Sequence, residues 1–186
     1  MMKRLVPLTC VFAILVACGA EAQTKGLGPN LLGMSMQAVR SNMPSLNCNA
    51  FGSAPPPNEK WCSASFYVPR MPEARALVEF ENDKAVSYRV WYPAGTYVQL
   101  RRILDKRLGA PKETRTKTFW TDAGQKFDSE EVTWSGADAV VTSQQFAPYG
   151  DGVRTSIIIE TPSRHEYAKG REQSDDDKIA KGLLGD

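Results

Sequence analysis

The chain has 186 residues, of which 42% are hydrophobic and 24% charged, and a formal charge of +2. That balance belongs to an ordinary globular domain and excludes collagen-like, disordered and multi-span membrane classes. Without Lys3 and Arg4, which lie in a segment read below as cleaved, 21 basic residues face 21 acidic ones, and a neutral exterior argues against a nucleic-acid binder with its clustered basic surface.

Residues 1–17 join a basic start, Lys3 and Arg4, to an apolar run over 5–17 broken only by Pro7 and Thr9, the pattern of a signal peptide. About thirteen residues in a helix cover roughly 20 Å, short of the ~30 Å of hydrocarbon that a span must cross. Two cleavage readings stand open. Leu15-Val16-Ala17-Cys18 resembles a bacterial lipobox, with Cys18 as the lipidated residue, and the apolar run abuts it directly. Ala20-Glu21-Ala22 is the A-x-A form of an ordinary secretory site and would release a soluble periplasmic or secreted protein. In the lipidated form, the neutral Gly19 after the cysteine resembles outer-membrane sorting in Gram-negative bacteria, giving a periplasm-facing lipoprotein.

Cys10 leaves with the signal and Cys18 is lipidated or removed, so the mature fold keeps Cys48 and Cys62. An even pair in an oxidising compartment predicts one disulfide. It would close a ring of about 15 residues, including Pro55-Pro56-Pro57, and stabilise the fold by roughly 3 kcal/mol on the chain-entropy model. Two buried free thiols are the other reading.

Residues 18–33, rich in glycine, read as a tether. A first unit over 34–94 opens with a short helix: Ser35 is the N-cap, Val39 and Met43 share a face, and Pro44 stops the turn. Strands follow over 63–68, 76–81 and 85–92. In the last, Val86, Tyr88, Val90 and Tyr92 alternate with Ser87, Arg89 and Trp91, the period of a half-buried strand. Asn82-Asp83 supplies a hairpin turn. The second unit, 95–161, begins with a helix over 96–108. Its apolar stripe is Val98, Leu100, Ile103, Leu104 and Leu108, and Gly109 and Pro111 end it. Strand-like runs follow over 117–121, 130–135, 139–146 and 153–161, with Gly136-Ala137-Asp138 as a tight connection. Residues 162–186, charged and small, read as a disordered tail with room for one short helix over 175–184. The fold class expected is α+β: two tandem helix-plus-antiparallel-meander units, arising by duplication or by the same helix-stop chemistry used twice, whose sheet is covered by two helices.

Gly33-Met34-Ser35, Val39 and the Pro44-terminated helix resemble the G-M-[ST]-x-x-x-V-x-x-x-x-x-P opening of the small outer-membrane-assembly lipoproteins of the SmpA/OmlA type. Leu104, Leu108, Gly109 and Pro111 resemble that group's L-x-x-x-L-G-x-P continuation. The architecture is similar to the β-lactamase inhibitory protein, with two helix-plus-sheet repeats and a disulfide in a loop. The chain departs from the short lipoproteins in having a second unit and in lacking a glycine before Pro44. The resemblance implies a binding or scaffolding role outside the inner membrane.

Chemistry-bearing residues are sparse. The single histidine, His165, falls in the expected tail, where nothing holds an imidazole against a nucleophile. Neither a dinucleotide nor a phosphate-binding glycine loop is present, and no cofactor or metal site is expected. Glu79 and Glu81 on one strand, with Glu130 and Glu131 on another, keep a two-carboxylate hydrolase as an alternative. Single acidic residues such as Asp122, Asp128 and Asp151 do not form the dense oxygen cage of a calcium site. The aromatic residues carry a different reading. Trp91 points opposite to Tyr88 and Tyr92, so if that second sheet face is open, Trp91 with Arg89 forms an adhesive patch for a partner protein. If helices cover that face instead, Trp91 is core and the tyrosines look outward. Trp120 and Trp134 admit the same two readings. The function expected is a non-catalytic protein-binding module, either an assembly scaffold or an enzyme inhibitor, held by a membrane lipid anchor and meeting an envelope or extracellular protein. An inhibitor would use the open sheet face and the Pro-rich loop over 54–58. A periplasmic small-ligand or glycan-binding protein is the second reading, and the hydrolase the third.

Overall fold

Ser35 starts the first helix as a serine cap should: its backbone is extended and its Oγ accepts a hydrogen bond from the Ala38 amide at 3.3 Å. The helix, α1 (Met36–Asn42), buries Val39 and ends where the Met43 amide bonds the Val39 carbonyl. The computed structural model describes residues 30–48, 58–68, 71–120, 124–149 and 152–184. Seven strands follow or flank a second helix: β1 (Glu59–Val68), β2 (Met71–Glu81), β3 (Lys84–Tyr92), α2 (Tyr97–Leu108), β4 (Glu113–Trp120), β5 (Lys126–Ser135), β6 (Val140–Tyr149) and β7 (Gly152–Glu160). A third helix, α3 (Pro162–Leu184), closes the order.

The strands form one antiparallel sheet in the order β1-β2-β3-β7-β6-β5-β4, so the fold is α+β. The β2–β3 turn needs left-handed backbone at both central residues, and Asn82 and Asp83 supply it at φ 48° and 63°. The long-range join is β3 against β7, from Ser87↔Glu160 to Tyr92↔Thr155. One face of the sheet carries the core. Cys62, Val78, Phe80, Tyr88, Val90, Ile157, Ile159, Val132 and Trp134 belong to one buried cluster with Val39 of α1 and with Leu100 and Leu104 of α2. The alternation in β3 therefore resolves in one direction: Tyr88, Val90 and Tyr92 are core and Trp91 lies on the opposite face.

Three expectations are corrected. Leu31 is only 2% exposed and the Gly33 amide bonds the Ala85 carbonyl, so the fold begins before residue 34 rather than after a tether ending at 33. Val98, assigned to the apolar stripe of α2, is 79% exposed; Tyr97, Leu100 and Leu104 form the buried stripe instead, one turn apart. Residues 162–184, expected as a disordered tail, form α3, with Pro162 at its first position and Thr161 Oγ1 accepting from the Arg164 amide at 3.3 Å.

Candidate functional site

Period-two geometry sends Glu79, Arg89, Trp91, Glu131, Gln144 and Glu160 to the face away from the core. α3 crosses part of that face on ion pairs. Arg164 reaches Glu59 at 3.2 Å and Glu79 at 3.0 Å, His165 Nδ1 lies 2.8 Å from Glu160 Oε1, and Glu172 meets Lys117 and, at 3.4 Å, Arg115. These partners sit on β1, β2, β4 and β7, so the helix straps opposite sides of the sheet. A cavity of about 300 Å³ remains between strap and sheet, with Leu77 and Ile158 among its walls.

The cavity is polar and internally bonded. Glu131, only 5% exposed, takes two arms of Arg115, at 2.5 and 2.6 Å, and a third hydrogen bond from Gln144 Nε2 at 2.6 Å. Gln144 Oε1 in turn accepts from Ser156 Oγ at 2.9 Å, which fixes its amide orientation. Thr133 and Thr142 hydroxyls pair at 3.3 Å. Burial works against the charge of Arg115, but its bonds with Glu131 win and hold the guanidinium above its ordinary value. For Arg89 the outcome reverses: burial pulls it below its ordinary value, and Glu79, Glu160 and Glu131 offset that only in part. Of the three arginines lining the cavity, Arg115 and Arg164 are bonded to glutamates, whereas among the described residues Arg89 has no direct hydrogen bond or ion pair. Its guanidinium lies 5.7 Å from the Trp91 ring.

Away from the strap the same face turns aromatic. Trp91 and Tyr149 rings are 5.4 Å apart and tilted; Arg75 donates to Tyr149 Oη at 2.9 Å, and Arg154 stacks 4.7 Å from the Tyr149 ring. Phe119 and Phe127, direct cross-strand partners, stack at 5.6 Å, and Phe146 follows at 6.1 Å. All five rings are half-buried, and the Trp91 indole N–H is buried without a hydrogen-bond partner among the described residues. A hollow of about 430 Å³ opens beside Trp91 and Tyr149, walled also by Ser63, Ser65 and Arg75.

The structure brings Arg89 and Trp91 together on this face and places Trp120 near the end of edge strand β4 at 64% exposure. It removes Trp134 from the expected patch. That ring is 3% exposed on the core face, its Nε1 donates to the Gly109 carbonyl at 3.1 Å, and Arg101 of α2 covers it at 5.3 Å. His165, expected free in a tail, is bonded to Glu160. Cys48 and Cys62 form a disulfide across 14 residues, beside the paired backbone bonds of Asn47 and Ser63. The lipidation residue Cys18, both cleavage sites, residues 54–57 of the Pro-rich loop, Asp122 and Asp151 lie outside the described residues. Of the candidate carboxylates, Glu79 and Glu131 line the cavity and are each held by an arginine. Glu130 points to the other face, where Tyr97 and Arg101 bond it. Among the described residues no group of three or more His, Cys, Asp or Glu side chains is placed to hold a metal ion, and no helix is long and apolar enough to cross a membrane. Phe119, Phe127, Phe146, Arg75 and Arg154 were not singled out by the sequence. Their one signal is alternation, with Lys117 and Phe119 on one face of β4 and Phe127, Ser129 and Glu131 on one face of β5. Comparison with protein-family models, with curated proteins and with solved structures gives no match.

Proposed function

We propose that the chain is an exported bacterial envelope protein, anchored to the outer membrane through Cys18, that binds another protein without catalysing a reaction. Its two helix-plus-meander units, 34–94 and 95–161, are read on the pattern of the outer-membrane-assembly lipoproteins and the β-lactamase inhibitory protein. The observation that carries the binding role is the aromatic half of the sheet's second face. Trp91, Tyr149, Phe119, Phe127 and Phe146 lie there beside Arg75 and Arg154, the residue types that dominate protein–protein hot spots. The flanking arginines favour a partner surface that combines apolar groups with carboxylates. The anchoring is supported by the apolar run ending at Cys18, and a lipoprotein with several acyl chains exceeds the two-signal requirement for stable attachment.

Crosslinking in intact envelopes tests the binding role. Wild-type protein should yield one discrete adduct, and the pair W91A and Y149A should each lower its yield at least tenfold while leaving expression unchanged. An undiminished adduct in both variants contradicts the assignment of this face. Separately, Cys18→Ser should move the protein from the membrane to the soluble fraction, and identical soluble fractionation of both forms refutes the anchor.

A further inference from the structure

The geometry points to the cavity beneath α3 as a binding site for a small monocarboxylic acid, with the Arg89 guanidinium as the group that receives the carboxylate. This site is separate from the aromatic half of the face, and it stands whether or not that half docks a protein. The argument starts from who is already partnered. Arg115 is spent on Glu131 and Glu172, Arg164 on Glu59 and Glu79, and Lys117 on Glu172. The buried and half-buried carboxylates of the wall are likewise engaged: Glu79, Glu131 and Glu172 by these cations, and Glu160 by His165. Arg89 lines the same cavity on β3, an interior strand next to the central β7, and has no direct hydrogen bond or ion pair among the described residues. A charged group drawn out of water is costly unless something bonds it. Here the guanidinium lies 5.7 Å from the Trp91 ring, a cation–π contact that uses none of its N–H hydrogen bonds, so its five donors remain for a ligand.

The class of ligand follows from the surroundings. A guanidinium fork matches a planar carboxylate with two parallel hydrogen bonds. Among the described residues of the wall, Arg89 is the half-buried cation without an ion pair, whereas Lys169, also without one, is exposed to solvent. A single shielded cation among several glutamates suits a single negative charge, and a dianion would place its second charge against Glu131 or Glu160. Leu77 and Ile158 offer apolar wall for a short alkyl part, while the Thr133–Thr142 pair and Gln144 offer hydrogen bonds to a hydroxyl. The volume, about 300 Å³, is at the small end of ligand cavities.

The test is a titration of the purified full chain, disulfide formed, with sodium lactate and sodium acetate against sodium chloride and sodium phosphate at constant ionic strength. Heat of binding and the Arg89 side-chain Nε–H resonance are followed together. We expect saturable lactate or acetate binding with a shift of that resonance, at least tenfold weaker in Arg89→Met and intermediate in Arg89→Lys. Should Arg89→Met fail to fold, Ala168→Phe, at a solvent-accessible position where α3 lines the cavity, keeps the arginine and fills the space; it should abolish the response. No saturable response to either carboxylate overturns the proposal. So does binding unchanged in the folded variants, an equal response to chloride, or tighter binding of phosphate.

Discussion

Breaking the Cys48–Cys62 bond removes a covalent tie whose value can be worked from chain separation. The two residues are 14 apart, so the bond closes a ring of about 15 residues, and the chain-entropy relation assigns it roughly 3 kcal/mol at 25 °C. The tie acts on the unfolded chain; in the folded state Asn47 and Ser63 exchange two backbone hydrogen bonds, at 2.7 and 2.8 Å, that hold the ends of the loop together without it. Loss of the disulfide should therefore leave the native sheet in place and lower its stability. For a domain of this size 1 kcal/mol shifts the melting point by about 2–4 °C, so the expected drop is roughly 6–12 °C. The assay compares thermal melts of oxidised protein, reduced protein and the double variant C48A/C62A. Cys62 is fully buried, and alanine avoids leaving a hydroxyl in the core, although the truncation adds a cavity cost of its own. The oxidised–reduced difference is therefore the cleaner measure. Coincident melts for oxidised and reduced protein would refute the reasoning, as would loss of native sheet on reduction at 25 °C.

Three further predictions concern packing, acid and base. Leu104→Ala, at a fully buried position in α2, should cost about 2–5 kcal/mol in urea denaturation, whereas Val98→Ala, on the exposed side of the same helix, should stay within about 0.5 kcal/mol. A hydrogen bond from Lys117 holds the Glu172 carboxyl below its ordinary value against the opposing effect of burial, with further attraction from Lys117 and Arg115. A depressed carboxyl stabilises the folded contact above its unfolded value, and that contribution is lost as pH falls through the depressed one. Amide exchange in α3 should thus accelerate relative to the sheet in acid, and also in about 1 M salt, which screens half-exposed pairs; equal protection under both conditions contradicts the strap. Burial pushes the Tyr92 hydroxyl up to about 12, so ultraviolet titration should show this tyrosine protonated at pH 11 while the fold persists; its ionisation near the ordinary value of ~10 would contradict its place in the core.

Legibility in the sequence depended on whether a residue's surroundings were local. β3 was readable because one of its faces is apolar and the other mixed, and the left-handed turn at Asn82 and Asp83 marked its start. β4 was expected from residue 117 but begins at Glu113. Its first four residues, Glu113 to Thr116, are exposed on an edge strand paired only with β5, so no alternation marks them. β5 hid its faces for the opposite reason. Glu131 and Thr133 are buried, like Val132 and Trp134, since strap and cavity cover one side and α2 the other, and Trp134 could not be assigned to the core by period alone. α3 has little local signature because its ion pairs reach residues far away in the chain and its charged, small-residue composition resembles a tail, although Thr161 followed by Pro162 fits a helix start. The candidate cavity shares this character. Arg89 sits in it because β3 pairs with β7, a contact between strands more than sixty residues apart with no local signature.

The account rests on the second face of the sheet being a surface for recognition, and site-specific photocrosslinking in living envelopes tests this most directly. A photoreactive amino acid in place of Phe119 should capture one discrete protein partner, while the same group at Val98, exposed on a helix at the opposite face, should capture none. Equal capture at both positions, or none at Phe119, would contradict it.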